Sequence, residues 1–394
     1  MSDYTLSPRD SLDSLRGNST TSSILSAPDA LAPPVAGPRA WEGKELDSSK
    51  YVTEFTTKDL EEIKVALIHL TIDQISREAV DKTTFHLSDE LATKLAGISK
   101  RVHTEEGVEV LRGLQALKIT DNQSIMVFVG LCSYIASLRA TDSFANQTLS
   151  HVRDARNDEV KPGAEGLGLA GSKLPIAMDF HADRFSGDIL AMHVRHDGGA
   201  GDGGDQYVAS AQRIYNELYE TEPGVLETML APNWPFEIKK NHHEPPVLEM
   251  GPVLFLSKGR PIFQIVKAPL VGTPALPRHH TMPDITEKQK HALEVVDELA
   301  HRFAAKLERQ QGDIQLIHNL SILHARSAYG LASKAQPSKR HLYRLFLRDP
   351  ENAWEKPQIC RENFDDPFTV GRKGEIPVFD TDAYRKISGC ESHG

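Results

Sequence analysis

The chain has 394 residues, 39% hydrophobic and 25% charged, enough to bury one large core or two modest ones. Its 55 acidic residues against 45 Lys and Arg give a net charge of −10, the wrong sign for a surface that binds nucleic acid. Three cysteines, Cys132, Cys360 and Cys390, stand far apart without a Cys-x-x-Cys pair, so neither a disulfide framework nor a zinc site is indicated and a reducing, cytoplasmic setting is expected.

Residues 1–50 are rich in Ser, Pro, Ala and Asp and carry no periodic apolar pattern, which reads as a disordered or surface-draped tail ahead of a single domain over 51–394. The opening Met1 to Leu6 lacks the apolar stretch of a secretory signal. Helical spacing of Leu60, Ile63, Leu67 and Leu70 predicts a first helix from Thr57. The longest apolar run, Ile125 to Leu138, contains Gly130 and Ser133 and is too short to span a bilayer, so no membrane partner is expected. Arg156 to Lys173, rich in Gly and charge, reads equally as a lid or a solvated insertion. His181-Ala182-Asp183 follows at the start of a strand-rich region, and Gly198 to Asp205 reads as a flexible turn. Val247 to Met250 and Pro261 to Val266 are short strand-like runs. Thr286 and Gln289 form a capping box that predicts a helix running to about Gln310, with Leu293, Val296, Leu299, Ala300, Phe303 and Leu307 on one face. Asp313 to Leu323 reads as one buried strand that delivers His324 at a loop, and Arg340 to Arg348 as another, with Arg340, Leu342 and Arg344 on one face and His341 on the other. Many short strands broken by Gly and Pro suggest an α+β, mainly β fold: a double-sheet jelly roll with helices outside.

Two imidazoles and one carboxylate on one face of Fe(II) leave the opposite face open for other ligands. His181 and Asp183 suit this on a strand, since side chains at i and i+2 point the same way. With 17 His in the chain, about one His-x-Asp arises by chance, so the pair alone says little. His242-x-Glu244 competes with it, although Pro245 and Pro246 mark a loop there. The third ligand is His324 or its rival His318, which could equally be a satisfied core histidine. Two guanidiniums facing inward need anions, yet Arg344 and Arg348 could also be ion-paired strand residues.

The order His181-x-Asp183, Gly203-Gly204-Asp205-Gln206, Leu323-His324-Ala325-Arg326 and Arg340-x-x-x-Arg344 resembles the taurine dioxygenase (TauD/TfdA) family of Fe(II)/2-oxoglutarate oxygenases, in particular its fungal branch. The stretches Ile214 to Leu218, Gly312 to Gln315, Asn319 to Ser327 and Arg340 to Asp349 carry the likeness, which spans residues 55–356. The resemblance implies a double-stranded β-helix core with iron held by His181, Asp183 and His324. It implies that Arg340 pairs with the distal carboxylate of 2-oxoglutarate, a bidentate task that suits arginine. Arg344 takes the position that contacts a substrate anion or the other end of the cosubstrate. Gln206 stands where bacterial members place a cosubstrate-binding threonine, and its amide can still donate a hydrogen bond. The spacing from His324 to Arg340, 340 − 324 = 16, is longer than in bacterial members, the extra residues lying in Gly330 to Ser338. Arg326 is expected to be a structural ion-pair partner.

The implied reaction oxidises, most simply hydroxylates, an unactivated C–H bond of a small metabolite, an anionic one where Arg344 contacts it, while 2-oxoglutarate and O2 become succinate and CO2. Relatives of this kind are often dimers or tetramers, so a homo-oligomer is expected. Two alternatives stay open. One is chemistry like that of γ-butyrobetaine hydroxylase, against which the lack of any cysteine before Cys132 counts; the other is a non-catalytic binding protein on the same fold.

Overall fold

The computed structural model describes residues 31–141, 147–159, 169–238, 246–273, 277–332, 337–369 and 379. The helix Thr57–Ile72 starts where its pattern predicts, behind a capping box of Thr56 and Asp59, and buries Ile63, Ala66, Leu67 and Leu70. With Asp89–Thr104 and Asp121–Ile135 it forms a helical layer. Asp121–Ile135 is buried nearly all round, which explains why its sequence is apolar all round. Among the described residues no helix is long and apolar enough to cross a membrane. Of the segment read as a tail, residues 1–30 lie outside the description, and residues 31–50 pack against the domain with Trp41 and Leu46 buried.

The strands in chain order are β1 (Val52–Glu54), β2 (Val108–Arg112), β3 (Leu138–Arg139), β4 (Ser150–Arg153), β5 (Met178–His181), β6 (Ile189–His196), β7 (Gln206–Ser210), β8 (Trp234–Ile238), β9 (Val247–Gly251), β10 (Leu254–Ser257), β11 (Arg260–Phe263), β12 (Ala305–Lys306), β13 (Ile314–His318), β14 (Ile322–Arg326) and β15 (His341–Arg348). A major sheet runs β1-β2-β13-β6-β15-β3, with β4 also on β15, and a minor sheet runs β12-β7-β14-β5. Apart from the parallel β1–β2 pair the ladders are antiparallel. The hairpins β8–β9 and β10–β11 stand as separate two-stranded sheets.

Alternation along β15 divides the core. Tyr343, Leu345 and Leu347 join the cluster under the helical layer, whereas Leu342 and Phe346 pack with Leu190, Met192 and Val194 of β6 and with Val208 and Ile322 of the minor sheet. The two sheets therefore face each other across that second cluster. Arg344, two residues from both Leu342 and Phe346, belongs to the same face.

Two expectations need correction. The helix that starts at Thr286 ends at Phe303, not near Gln310: Ala304 is extended, β12 pairs with β7, and the Leu307 N–H donates to the Gln206 carbonyl at 2.9 Å. Leu307 keeps helical spacing by coincidence and is buried between the sheets. The run Asp313 to Leu323 is two strands: β13 pairs with β6 in the major sheet and β14 with β7 and β5 in the minor one. The chain crosses between sheets at Asn319–Ser321, and His324 stands inside β14, not at a strand-to-loop junction.

Candidate metal centre and anion pocket

His181, the last residue of β5, lies directly across the ladder from His324 of β14. Facing residues of an antiparallel pair have Cβ atoms about 5 Å apart, and the two imidazole centroids are 4.2 Å apart. Beyond β5 the chain is steered by backbone contacts, with the Ala182 N–H donating to the Ile265 carbonyl at 2.9 Å. Asn319 then clamps Asp183. Its Oδ1 accepts from the Asp183 N–H at 2.9 Å, and its Nδ2 donates to the carbonyls of Asp183 at 2.7 Å and Gly187 at 3.0 Å.

The clamp leaves Asp183 Oδ1 3.8 Å from His181 Nε2 and Oδ2 3.3 Å from His324 Nε2. One ligand atom from each of the three residues lies within 4.8 Å of the others. His181 Nδ1 sits 2.7 Å from the Asp179 carbonyl, which can only accept, so the ring proton is on Nδ1 and the Nε2 lone pair points inward. His181 and Asp183 are buried and His324 is partly open. A buried carboxylate between two imidazoles with one open side fits a divalent metal, and this donor set is the one that Fe(II) takes in non-haem oxygenases. His318 lies outside this group: fully buried, it bonds Ser321 Oγ at 2.8 Å through Nδ1 and packs against His103 and Trp354. Residues 241–245, with His242 and Glu244, lie outside the described residues.

A second group of polar atoms lies where the major sheet meets the Gly203-Gly204 turn. The Arg340 guanidinium is buried, lies over the Tyr329 ring at 4.9 Å, and has no hydrogen-bond partner at Nε or Nη1 among the described residues. It reaches that position past Gly204 (φ +72°), where an added Cβ would lie 2.6 Å from Nε. Burial, then the cations Arg326 and Arg309, pull its pKa down to about 9, so it stays charged at neutral pH. A buried cation without an acid in contact marks a place for an anion.

Arg344 is buried beside Phe346, with Nε and Nη2 likewise without partners among the described residues. Its Cα faces Met192 of β6 on one side and Ser150 of β4 on the other. Gln206 opens β7 on the opposite sheet. Its Nε2 lies 3.8 Å from Met192 Sδ, and its Oε1 has no hydrogen-bond partner among the described residues. Gln206 and Arg344 thus meet at Met192, and with Arg340 they offer donors suited to a dicarboxylate.

Other residues divide clearly. Arg348 is ion-paired, to Asp188 at 3.3 Å and Asp365 at 2.6 Å. The ion-pair expectation for Arg326 needs correction. Among the described residues it has no carboxylate partner; its Nη2 ties down the carbonyls of Leu174 and Ile176 at 2.9 and 2.7 Å, beside the Tyr329 ring. Leu149 to Asp154 borders the pocket through β4, whereas Leu111 to Leu114 lies at the end of β2, with β13 and β6 between it and β15. Residues 160–168 of the loop weighed as a lid are outside the description. A cavity lined by Ser124, His193, Arg195 and His196 lies under the Asp121–Ile135 helix, on the other side of the major sheet. Sequence reading missed Asn319 and Tyr329. The polar cluster His318-Asn319-x-Ser321 inside the mainly apolar Leu316 to Leu323 is the signal that could have found the first.

A two-sheet fold that gathers two histidines and an aspartate beside buried, uncompensated arginines has the make-up of a non-haem iron oxygenase. Residues 71–346 match the model of the family described as "Taurine catabolism dioxygenase TauD, TfdA family", and the chain belongs to that family. Its members are Fe(II)- and 2-oxoglutarate-dependent dioxygenases, which makes this chain an oxidoreductase. It is 32% identical to the taurine hydroxylase-like protein SAT17 of Stachybotrys chartarum (strain CBS 109288 / IBT 7711), over 84% of this chain and 83% of that protein. It is 23% identical to FR-33289 synthase of Streptomyces rubellomurinus (strain ATCC 31215), over 84% and 94% respectively. Asparagine oxygenase, solved with Fe(II), hydroxyasparagine and succinate, shares the fold with a TM-score of 0.56 at 16% identity, covering 77% of this chain and 98% of that one. The non-haem iron oxygenase OrfP, solved with Fe and alpha-ketoglutaric acid, does so with a TM-score of 0.51 at 13% identity, covering 75% and 94%.

Proposed function

We propose that this enzyme hydroxylates an unactivated C–H bond of a small metabolite on a double-stranded β-helix core, with His181, Asp183 and His324 as its iron ligands. The observation that carries the reading is the convergence of those three side chains from β5, β14 and the Asn319-clamped turn within 4.8 Å. When bound, Fe(II) with 2-oxoglutarate and O2 supplies the oxidant, 2-oxoglutarate leaving as succinate and CO2.

The protein's own part is binding and orientation. Asp179 fixes the His181 tautomer and Asn319 fixes the Asp183 backbone. Arg340 holds the distal carboxylate of 2-oxoglutarate, Gln206 offers its amide across the sheet gap, and Arg344 takes either the other end of the cosubstrate or an anionic group on the substrate. The partly open side of His324 leaves an approach for the substrate.

The test reconstitutes the metal-free protein with Fe(II) and 2-oxoglutarate, admits O2, and quantifies succinate by mass spectrometry with candidate amino acids, sulfonates and carboxylates as substrates. Wild type should release succinate, faster with a true substrate, and His324→Ala should release none above background. Succinate release unaffected by His324→Ala would overturn the assignment.

A further inference from the structure

Tyr329 is buried to 3% exposure, and its hydroxyl has no hydrogen-bond partner among the described residues. Two guanidiniums lie over its ring, Arg340 at 4.9 Å and Arg326 at 4.8 Å. The backbone there is fixed from two sides: the Tyr329 N–H donates to the Pro175 carbonyl at 3.1 Å, and Tyr329 forms an isolated bridge with Gly203. Gly203 and Gly204 are the glycines that allow this approach, since a Cβ on Gly204 would lie 3.2 Å from Tyr329 Cβ and one on Gly203 would lie 2.4 Å from the Ala328 carbonyl oxygen.

Buried hydroxyls are nearly always hydrogen-bonded, because one left bare gives up its bonds to water without replacement. The two guanidiniums over this ring can only donate, and the carboxylate that acts on Tyr329, Asp154, is taken up by Arg156 and does not hydrogen-bond the hydroxyl. An acceptor brought in by a ligand would complete both the hydroxyl and the open Nε and Nη1 of Arg340.

We propose that Tyr329 is a cosubstrate-binding residue, its hydroxyl donating to the same carboxylate that Arg340 grips. The inference rests on the reading of Arg340 given above. It also accounts for the two glycines, which let the tyrosine and the arginine approach one carboxylate side by side. Arg326 serves as the positioning residue behind the ring, anchored in turn to the 174–176 loop.

The test compares wild type with Tyr329→Phe, which removes the hydroxyl alone. Anaerobic titration of the Fe(II)-loaded proteins with 2-oxoglutarate should show roughly tenfold weaker binding in the variant, the loss of one good hydrogen bond to a charged group. Fe(II) affinity should be unchanged. Thermal unfolding of the metal-free variant should be equal to wild type or higher, because the hydroxyl it lacks was unsatisfied there, whereas a hydroxyl with only a structural role would lower it on removal. Equal 2-oxoglutarate affinity in the two proteins would overturn the assignment of Tyr329 while leaving that of Arg340 standing. Absence of 2-oxoglutarate binding in wild type would overturn both.

Discussion

Replacing Asn319 with Ala should uncouple the metal centre from the fold. Asn319 is fully buried and its amide makes three hydrogen bonds, all to the backbone of the turn that carries Asp183. Alanine leaves the Asp183 N–H and two carbonyls without these partners at a fully buried position. A bare buried polar group costs about 1–3 kcal/mol, and carbonyls relax more easily than an N–H, so the expected loss is about 2–4 kcal/mol of stability. The effect on the metal is separate: groups that orient a ligand typically contribute 10- to 100-fold in affinity, and here the group fixes the only carboxylate of the trio. Urea unfolding of the metal-free protein reads the first quantity, and anaerobic Fe(II) titration under native conditions reads the second. An Asn319→Ala protein that matched wild type in midpoint and bound Fe(II) within twofold of it would refute the clamp.

Gly204→Ala should leave the fold intact at a strain cost of about 1–2 kcal/mol, because φ there is +72°, and should weaken 2-oxoglutarate binding by displacing Arg340, whose Nε would lie 2.6 Å from the new Cβ; isothermal titration with 2-oxoglutarate checks this, and unchanged affinity would remove Gly204 from the pocket. His193, stacked on Phe128 and bonded to Ser124, is held neutral by burial with its pKa lowered to about 4. Between that value and its ordinary 6.5 the unfolded chain binds a proton that the folded chain refuses, so stability is intact above pH 6.5 and falls as pH drops toward 4, by at most about 3 kcal/mol. Denaturant unfolding at several pH values should show His193→Gln with a shallower acid-side loss than wild type, and identical slopes would refute the assignment.

The sequence showed the chemistry more clearly than the geometry. The convergence of His181, Asp183 and His324 was legible because their order resembles a known family. The sheets with flanking helices were legible from short strands broken by Gly and Pro, and the Thr286 cap from its own box. The split between β13 and β14 was hidden because both strands and the turn between them are buried, so the polar His318, Asn319 and Ser321 at the crossing read as buried strand residues and not as a loop. The end of the Glu287–Phe303 helix was hidden because Leu307 falls on the helical period while serving the space between the sheets. Arg326 looked like an ion-pair residue because the sequence does not reveal that its partners are two main-chain carbonyls more than 140 residues upstream. Tyr329 was invisible for a similar reason: its pocket joins the 174–176 loop, the Gly203-Gly204 turn and the residue that precedes β15.

The most direct test of the account is anaerobic titration of the metal-free protein with Fe(II) and then 2-oxoglutarate, followed through the weak visible charge-transfer band of the chelated cosubstrate. The account predicts a band that saturates at one equivalent of each in wild type, is absent in His181→Ala, and needs far more 2-oxoglutarate in Arg340→Ala. A band of unchanged strength and midpoint in both variants would contradict it.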